Sequence, residues 1–594
     1  MNRIALAWCL AMMCVPATAR AQAPPRAAPA EVVADEGIPV DSTVVKSRCG
    51  ACHRSDDKGR MSRISYRRAT AENWELTIKR MVALNHVTLS PEDARSVLKY
   101  LTDHQGLAPE ELRPIVFEGE HRMVEFAYTA DETTARLCSS CHSIARVLSE
   151  RRTKEEWQLL ITMHRALYPL VDTQPMNSGS GFMRAGGRGG RGRVSAPATG
   201  RGSQTARGGG TAAADAPADD RNPVDVALEH LEKALPLETS EWSAWSAAMQ
   251  PPKLAGRWAV SGSQVGKGAV YGEMTIAADP GAADTFTTEI RYTVARTGEN
   301  VTRRGKAVVY TGYQWRGRAD DWRETMFVER DWKQMWGRWF TGAYDETGVD
   351  VKLTRITADP IVLGASVTAV KTGSTGQNIR IFGANLPESI RAEDIGLGQG
   401  VKVTRVVSAR PNELSVEVDV AAGAPIGARD ASVAGTVRPA LVVVYDKVDG
   451  VKVVPEAGMA RVGGAAFPKQ LQQFEADGVN NGPDGKPDTA DDLNLGPVDV
   501  KWSMEEYPAT FNDDDTQYVG VLDQTGLFTP NVDGPNPKRS GNRNNVGDVW
   551  VVAELAGARP IRARAHLLVT VPVYMNWFSE ANTSKTNGSP AGRQ

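Results

Sequence analysis

The chain is poor in cysteine, in histidine and in any surplus of charge. Six cysteines occur in 594 residues, and two of them, Cys9 and Cys14, fall in the first 21 residues. The other four form two spaced pairs, which leaves none for a disulfide framework. Lys and Arg number 69 against 71 Asp and Glu, a formal charge of -2. That balance excludes a general nucleic-acid binder. Long apolar runs are absent too. Ile4–Val15 is the one candidate, and it is too short to span a bilayer, so no membrane insertion is expected. With Arg3 before it and Ala19-Arg20-Ala21 after it, this run reads as a secretory signal over 1–21, cut after Ala21. Secretion implies a periplasmic address. Residues 22–35, rich in Ala and Pro, read as a disordered lead-in.

What is present is concentrated in two short stretches, Cys49-Gly-Ala-Cys52-His53 and Cys138-Ser-Ser-Cys141-His142. Cys-x-x-Cys-His is the attachment signature of c-type haem. Two thiols bond the porphyrin vinyl groups and the adjoining imidazole becomes the proximal iron ligand. Cys49, Cys52, Cys138 and Cys141 therefore read as covalent anchors for two haem c groups, and His53 and His142 as iron ligands. A four-cysteine zinc site would leave both histidines unexplained. A redox dithiol does not need them either.

The two stretches head an internal repeat. Thr70 caps a predicted helix carrying Trp74, Ile78, Met81 and Val82. Thr153 and Glu156 suggest a capping box on its counterpart, which carries Trp157, Ile161 and His164. With the tryptophans superposed, Met81 falls on His164, nearly two helical turns on and on the same face. Met and His are usual sixth ligands of c-type iron, so Met81 and His164 read as the distal pair. His86 competes at the first site, and Met163 and Met176 at the second. A closing helix follows in each copy, opened by Ser90-Pro91 and by Asn222-Pro223. Between them the second copy carries an insert, about 178–221, rich in Gly, Ala and Arg. It reads as disordered and solvated. These features delimit a dihaem domain over 36–250.

Beyond Trp242 and Trp245 the apolar period changes to two. Residues 253–358 read as an antiparallel barrel or sandwich, with the barrel adopted, holding strands such as Val270–Ile276, Thr287–Ala295 and Lys306–Tyr313. Trp315, Trp322, Trp332, Trp336 and Trp339 read as its packing. Residues 360–447 and 448–594 read as two immunoglobulin-like sandwiches, the second with strands at Val498–Trp502, Asp548–Leu555 and Ala563–Val571. The fold class is thus multidomain: an all-α tandem dihaem cytochrome c domain, then three all-β domains. The acidic loop at 481–492 has oxygen ligands dense enough for Ca²⁺. It lacks the EF-hand spacing and closing Glu, and a solvated turn is the plainer reading.

Tandem Cys-x-x-Cys-His units, tryptophan helices ending in Met81 and His164, three successive β-domains and the acidic turn before Val498–Trp502 together resemble the large α subunit of quinohaemoprotein amine dehydrogenase. The resemblance spans nearly the whole secreted chain, and the Gly/Arg-rich insert departs from it. It implies an αβγ heterotrimer with a β-propeller subunit and a small subunit bearing cysteine tryptophylquinone, at which primary amines become aldehydes. It also implies a soluble cytochrome or blue copper acceptor. This chain would carry electrons and act as scaffold, with no catalytic residue of its own. Two other readings are a dihaem peroxidase-like enzyme, which needs one displaceable distal ligand, and the electron-transfer subunit of another periplasmic dehydrogenase.

Overall fold

The computed structural model describes residues 36–115, 128–138, 143–167, 221–282, 284–464, 466–507 and 513–572. Residues 1–35, the insert up to residue 220, Cys141, His142 and Met176 lie outside the described residues. Among the described residues no helix is long and apolar enough to cross a membrane.

The first repeat comprises α1 (Thr43–Cys49), strand β1 (Arg67–Ala69), α2 (Ala71–Asn85) and α3 (Pro91–His104). A short turn of helix, α4 (Pro109–Leu112), leads on. The second repeat comprises α5 (Glu132–Cys138), α6 (Ala145–Leu148), β2 (Glu150–Arg152), α7 (Lys154–Leu167) and the closing helix Pro223–Ala234. Helix starts follow the capping chemistry. Thr70 and Ser90 accept from Asn73 and Asp93 N–H, and Asn222 accepts from Val224 N–H. At α7 only half of the expected capping box forms. Thr153 Oγ1 accepts from Glu156 N–H at 3.2 Å, but the Glu156 carboxylate turns to Arg63 at 3.1 Å and Arg152 at 3.6 Å.

The expectation of an all-α first domain needs correction, because β1 and β2 pair antiparallel and join the repeats. Three-residue strands built of Arg-Arg-Ala and Glu-Arg-Arg carry no apolar alternation, so nothing in their pattern marks them as strands. The register Arg67↔Arg152, Arg68↔Arg151, Ala69↔Glu150 maps onto itself when the repeats are exchanged. Arg68 and Arg151 therefore sit on a local pseudo-twofold. Both donate to Glu111, Arg68 at 2.9 and 3.0 Å and Arg151 at 3.1 Å. The two indoles confirm the equivalence. Trp74 Nε1 donates to Gln105 O at 3.0 Å, and Trp157 Nε1 to Leu235 O at 3.3 Å. Each of those carbonyls also accepts from the ribbon, through Ala69 N–H and Arg152 N–H.

Eight antiparallel strands, β3 (Gly256–Gln264), β4 (Gly268–Ala278), β5 (Thr285–Val294), β6 (Asn300–Tyr310), β7 (Gln314–Ala319), β8 (Trp322–Val328), β9 (Gln334–Thr341) and β10 (Thr347–Arg355), follow one another round a closed barrel. Closure removes the edges that an open sheet would expose. Trp258, Trp315, Trp339, Phe286 and Phe327 fill its core, while Trp332 and Trp336 pack against it half-buried. Leu107, Leu112 and Ile115 enter the same core. The first domain is thus anchored to the barrel, with Tyr313 Oη donating to Leu107 O at 2.9 Å and Lys99 paired to Asp284 at 2.7 Å.

Residues 361–445 form two four-stranded sheets that share one core, with Ala369–Lys371 parallel to Thr436–Tyr445. The last domain holds three sheets, one of four strands and two of three. There Val498–Trp502 is not one strand. Leu493–Pro497 and Lys501–Glu506 belong to different sheets, and the intervening residues cross between them after Pro497.

Candidate haem centres

The first centre is built on the end of α1. Cys49 is its last residue, and Cys52 and His53 N–H both turn back to Cys49 O, at 3.2 and 2.9 Å. This turn puts the two thiols and the imidazole on one short bend. Cys49 is half-buried and Cys52 exposed, and neither is in a disulfide. His53 Nδ1 lies 2.9 Å from Ser62 O. A carbonyl there accepts a hydrogen bond from Nδ1–H and leaves the lone pair on Nε2, the arrangement of a metal-binding histidine. Nothing in the sequence marks Ser62 for this role, since only its backbone is used.

Helix α2 brings Met81 to the same repeat. Trp74 is buried near the start of α2, and Met81, half-buried, lies on the same side nearly two turns on. Met81 Sδ accepts from Asn85 Nδ2 at 3.6 Å. Val82 and Leu84, flanking Met81, are 44 % and 39 % exposed, among the most exposed large apolar side chains described. An apolar stretch around a thioether suits a porphyrin face, so the donor set and its surroundings fit a haem c. His86 is the left-handed C-cap of α2 and points its backbone N–H to Met81 O; its side chain is exposed.

In the second repeat Cys138 ends α5, just as Cys49 ends α1. Burial, with the charge of Asp131, pushes its thiol up to about 11. Burial and Cys52 raise Cys49 likewise. Raised thiols are the opposite of what a redox dithiol needs. Cys141 and His142 lie outside the described residues. His164 is half-buried on α7 at the position of Met81, its Nδ1 2.8 Å from Leu160 O. The ring is thereby set in the same tautomer as that of His53. Burial chiefly, with the positive charges of Arg80 and Arg152, holds His164 below its ordinary pKa. Neutral imidazole is the form that binds metal. Met163 is instead a partner of Arg80, whose Nη1 donates to Met163 Sδ at 3.2 Å.

Between the repeats lies an ionic cluster that the motif reading missed. Glu150 pairs with Arg67 at 2.6 Å and with Arg152 at 2.5 Å, and the Arg67 guanidinium stacks 4.7 Å over Trp74. The visible signal was the doublet Arg67-Arg68 and Arg151-Arg152, placed just ahead of each capping threonine. In the acidic loop the carboxylates serve their own backbone. Asp491 Oδ2 accepts from Asp484 N–H at 3.1 Å and Asp492 Oδ2 from Asp488 N–H at 2.9 Å, the bonding of a solvated turn.

Four family models match this chain, and all describe one subunit. The quinohemoprotein amine dehydrogenase A, alpha subunit, haem binding model covers residues 40–182. Alpha subunit domains II, III and IV of quinohemoprotein amine dehydrogenase cover 251–356, 360–446 and 451–579. The chain belongs to the quinohemoprotein amine dehydrogenase alpha-subunit family. Haem binding in its first domain and an oxidoreductase role for the assembly follow from that membership, and an alpha subunit implies other subunits. No curated protein matches the chain. Similar solved structures include a redesigned beta barrel, 16 % identical, covering 18 % of this chain and 92 % of its own at a TM-score of 0.15. Human protocadherin-24 EC1-2 is 14 % identical, covering 36 % and 99 % at 0.14. The Bacteroides ovatus mixed-linkage glucan utilization locus SGBP-B is 12 % identical, covering 53 % and 60 % at 0.18. Likenesses this remote have no bearing on the alpha subunit's function.

Proposed function

We propose that this chain is the dihaem electron-transfer and scaffold subunit of a periplasmic amine dehydrogenase. The observation that carries the reading is the repeat itself. Two Cys-x-x-Cys-His motifs and two tryptophan-anchored helices, with Met81 and His164 at equivalent points of those helices, support it within a family of haem-binding alpha subunits. Cys49 and Cys52 would hold the first haem c covalently, with His53 and Met81 as the residues that would bind its iron. Cys138 and Cys141 would hold the second, with His142 and His164. Haem c, when bound, takes up and releases single electrons. The Ser62 and Leu160 carbonyls fix the ligating tautomers of His53 and His164, and Asn85 orients the Met81 thioether.

On this reading the chain would receive the two electrons released when a primary amine and water become an aldehyde and ammonia, the chemistry that a cysteine tryptophylquinone on a small partner subunit would supply. It delivers them to a soluble cytochrome or blue copper protein. A β-propeller subunit completes the assembly. The barrel and the two immunoglobulin-like domains serve as rigid support, since the dihaem domain is fixed to the barrel through Leu107, Leu112 and Ile115.

The test is purification of the native complex from its own host and identification of its subunits, followed by anaerobic addition of a primary amine. Co-purification of a propeller and a small quinone-bearing chain, with amine-driven reduction of the haem bands, is expected. A monomeric dihaem protein whose bands respond to hydrogen peroxide and not to amine would reject the proposal in favour of a peroxidase.

A further inference from the structure

The carbonyl that holds the His53 ring belongs to a loop, and that loop is closed by one side chain. Arg54–Ser62 folds back on itself as a miniature hairpin. Ser62 N–H donates to Arg54 O at 3.0 Å, Ser55 and Met61 form an antiparallel bridge, and Asp56 N–H donates to Arg60 O at 2.9 Å. A hairpin this short is marginal in water without further support. The Asp56 carboxylate supplies it at the tip. Its Oδ1 accepts from Lys58 N–H at 3.0 Å and from Arg60 N–H at 2.8 Å, and its Oδ2 from Arg60 Nε at 2.6 Å. Beyond Arg60, Met61 is fully buried in the core of the first repeat, and its N–H donates to Ser65 Oγ at 2.7 Å. Ser62 O is thus fixed from two sides, by the core through Met61 and by Asp56 through Arg60. It accepts from Ile64 N–H at 2.8 Å and lies 2.9 Å from His53 Nδ1.

We propose that Asp56 is a positioning residue for the first haem: by closing the loop that carries Ser62 O, it keeps the hydrogen bond to His53 short and so keeps that haem's midpoint potential low. This inference rests on the reading of His53 as the proximal ligand. A carbonyl that accepts from Nδ1–H makes the imidazole a stronger donor through Nε2. A stronger donor favours ferric iron and lowers the potential. Without the Asp56 carboxylate, Lys58 N–H and Arg60 N–H turn to water and the limb bearing Ser62 loosens. The bond to His53 then bends or lengthens, and hydrogen bonds weaken steeply with angle. The negative charge of Asp56 acts in the same direction, because an anion also favours the ferric form. The two contributions separate, since asparagine keeps an acceptor at Oδ1 and loses the charge.

The experiment uses the holoprotein with both haems attached. Asp56→Ala, Asp56→Asn and Asp57→Ala are titrated by spectroelectrochemistry. The redox wave missing from the Cys49→Ala, Cys52→Ala double variant identifies the first haem. Asp56→Ala should raise the midpoint of the first haem and leave that of the second in place. Asp56→Asn should stay close to the parent, because the backbone donors of the loop keep their acceptor. Asp57→Ala removes the same charge one residue on and should also stay close to the parent. An unshifted first haem in Asp56→Ala overturns the inference. So does an equal shift in Asp56→Asn or Asp57→Ala, which would assign the effect to charge and not to the loop. Failure of the underlying ligand reading is distinguishable, because His53→Ala would then leave the spectrum of the first haem unaltered.

Discussion

Glu150→Gln tests the ribbon that holds the two repeats together. Glu150 receives Arg67 at 2.6 Å and Arg152 at 2.5 Å with its side chain 12 % exposed. Burial by itself would raise its pKa, but the charges of Arg152 and Arg67 and their hydrogen bonds outweigh burial and hold it at about 2 instead of 4.5. That difference corresponds to roughly 3 kcal/mol of stability at neutral pH. Arg67 goes the other way: its burial, with the neighbouring cations Arg152 and Arg80, brings it down to about 9 against the pull of Glu150. The cluster is therefore costly to break more than it is a source of net stability, and breaking such a pair typically costs about 3–5 kcal/mol. Of Glu150 and its two arginines only the carboxylate titrates below pH 7, so its pKa sets how the difference between parent and variant depends on pH. A carboxyl lowered on folding stabilises fully above its unfolded pKa of 4.5 and loses that stability as pH falls toward 2. The glutamine variant has nothing to lose over that range. Denaturant titration followed at the haem absorption reports on this domain alone. The variant should be less stable by roughly 3 kcal/mol at pH 7, and the gap should shrink steadily on acidification from about pH 5. A gap that is absent at pH 7, or that stays constant down to pH 3, would refute the reasoning.

The remaining expectations are these. Intact mass of the secreted chain should show two covalent haems and no disulfide; one haem alone would remove Cys138 and Cys141 as anchors. Met81→His should lower the midpoint of the first haem and His164→Met should raise that of the second, read by spectroelectrochemistry; unchanged spectra would return the distal roles to His86 or Met176. Trp74→Ala or Trp157→Ala should cost the dihaem domain about 3–5 kcal/mol in denaturant titration, since each removes a buried indole that also bonds a helix-end carbonyl. In the barrel, burial lifts Glu324 to about 7 against the hydrogen bond from Trp315 at 2.7 Å. A carboxyl raised on folding stabilises fully below its unfolded pKa of 4.5, and that contribution is lost as pH rises through 7. Glu324→Gln should therefore gain on the parent in thermal stability between pH 5 and 8, and a constant difference across that range would show the group does not titrate there.

The attachment motifs were legible because c-type haem demands fixed covalent spacing, which a linear chain can display: Cys49, Cys52 and His53 sit within one bend. The capped helices and the correspondence of Met81 with His164 were legible because helical period and capping are local. The barrel strands were legible through their alternation. The ribbon β1–β2 was not, because its strands are too short and too charged to show a period, and their pairing spans more than eighty residues. The crossing at Val498–Val500 was missed for a related reason: alternation reports burial and not which sheet a residue joins. Sequence alone therefore marked the two Cys-x-x-Cys-His stretches and the capped tryptophan helices that follow them. Only the tertiary structure decided that Ser62 O orients His53, that Glu111 gathers Arg68 and Arg151 on a local twofold, and that Arg80 reaches Met163. Those contacts depend on backbone carbonyls and on chain closure between distant segments, where neither residue type nor spacing carries a signal.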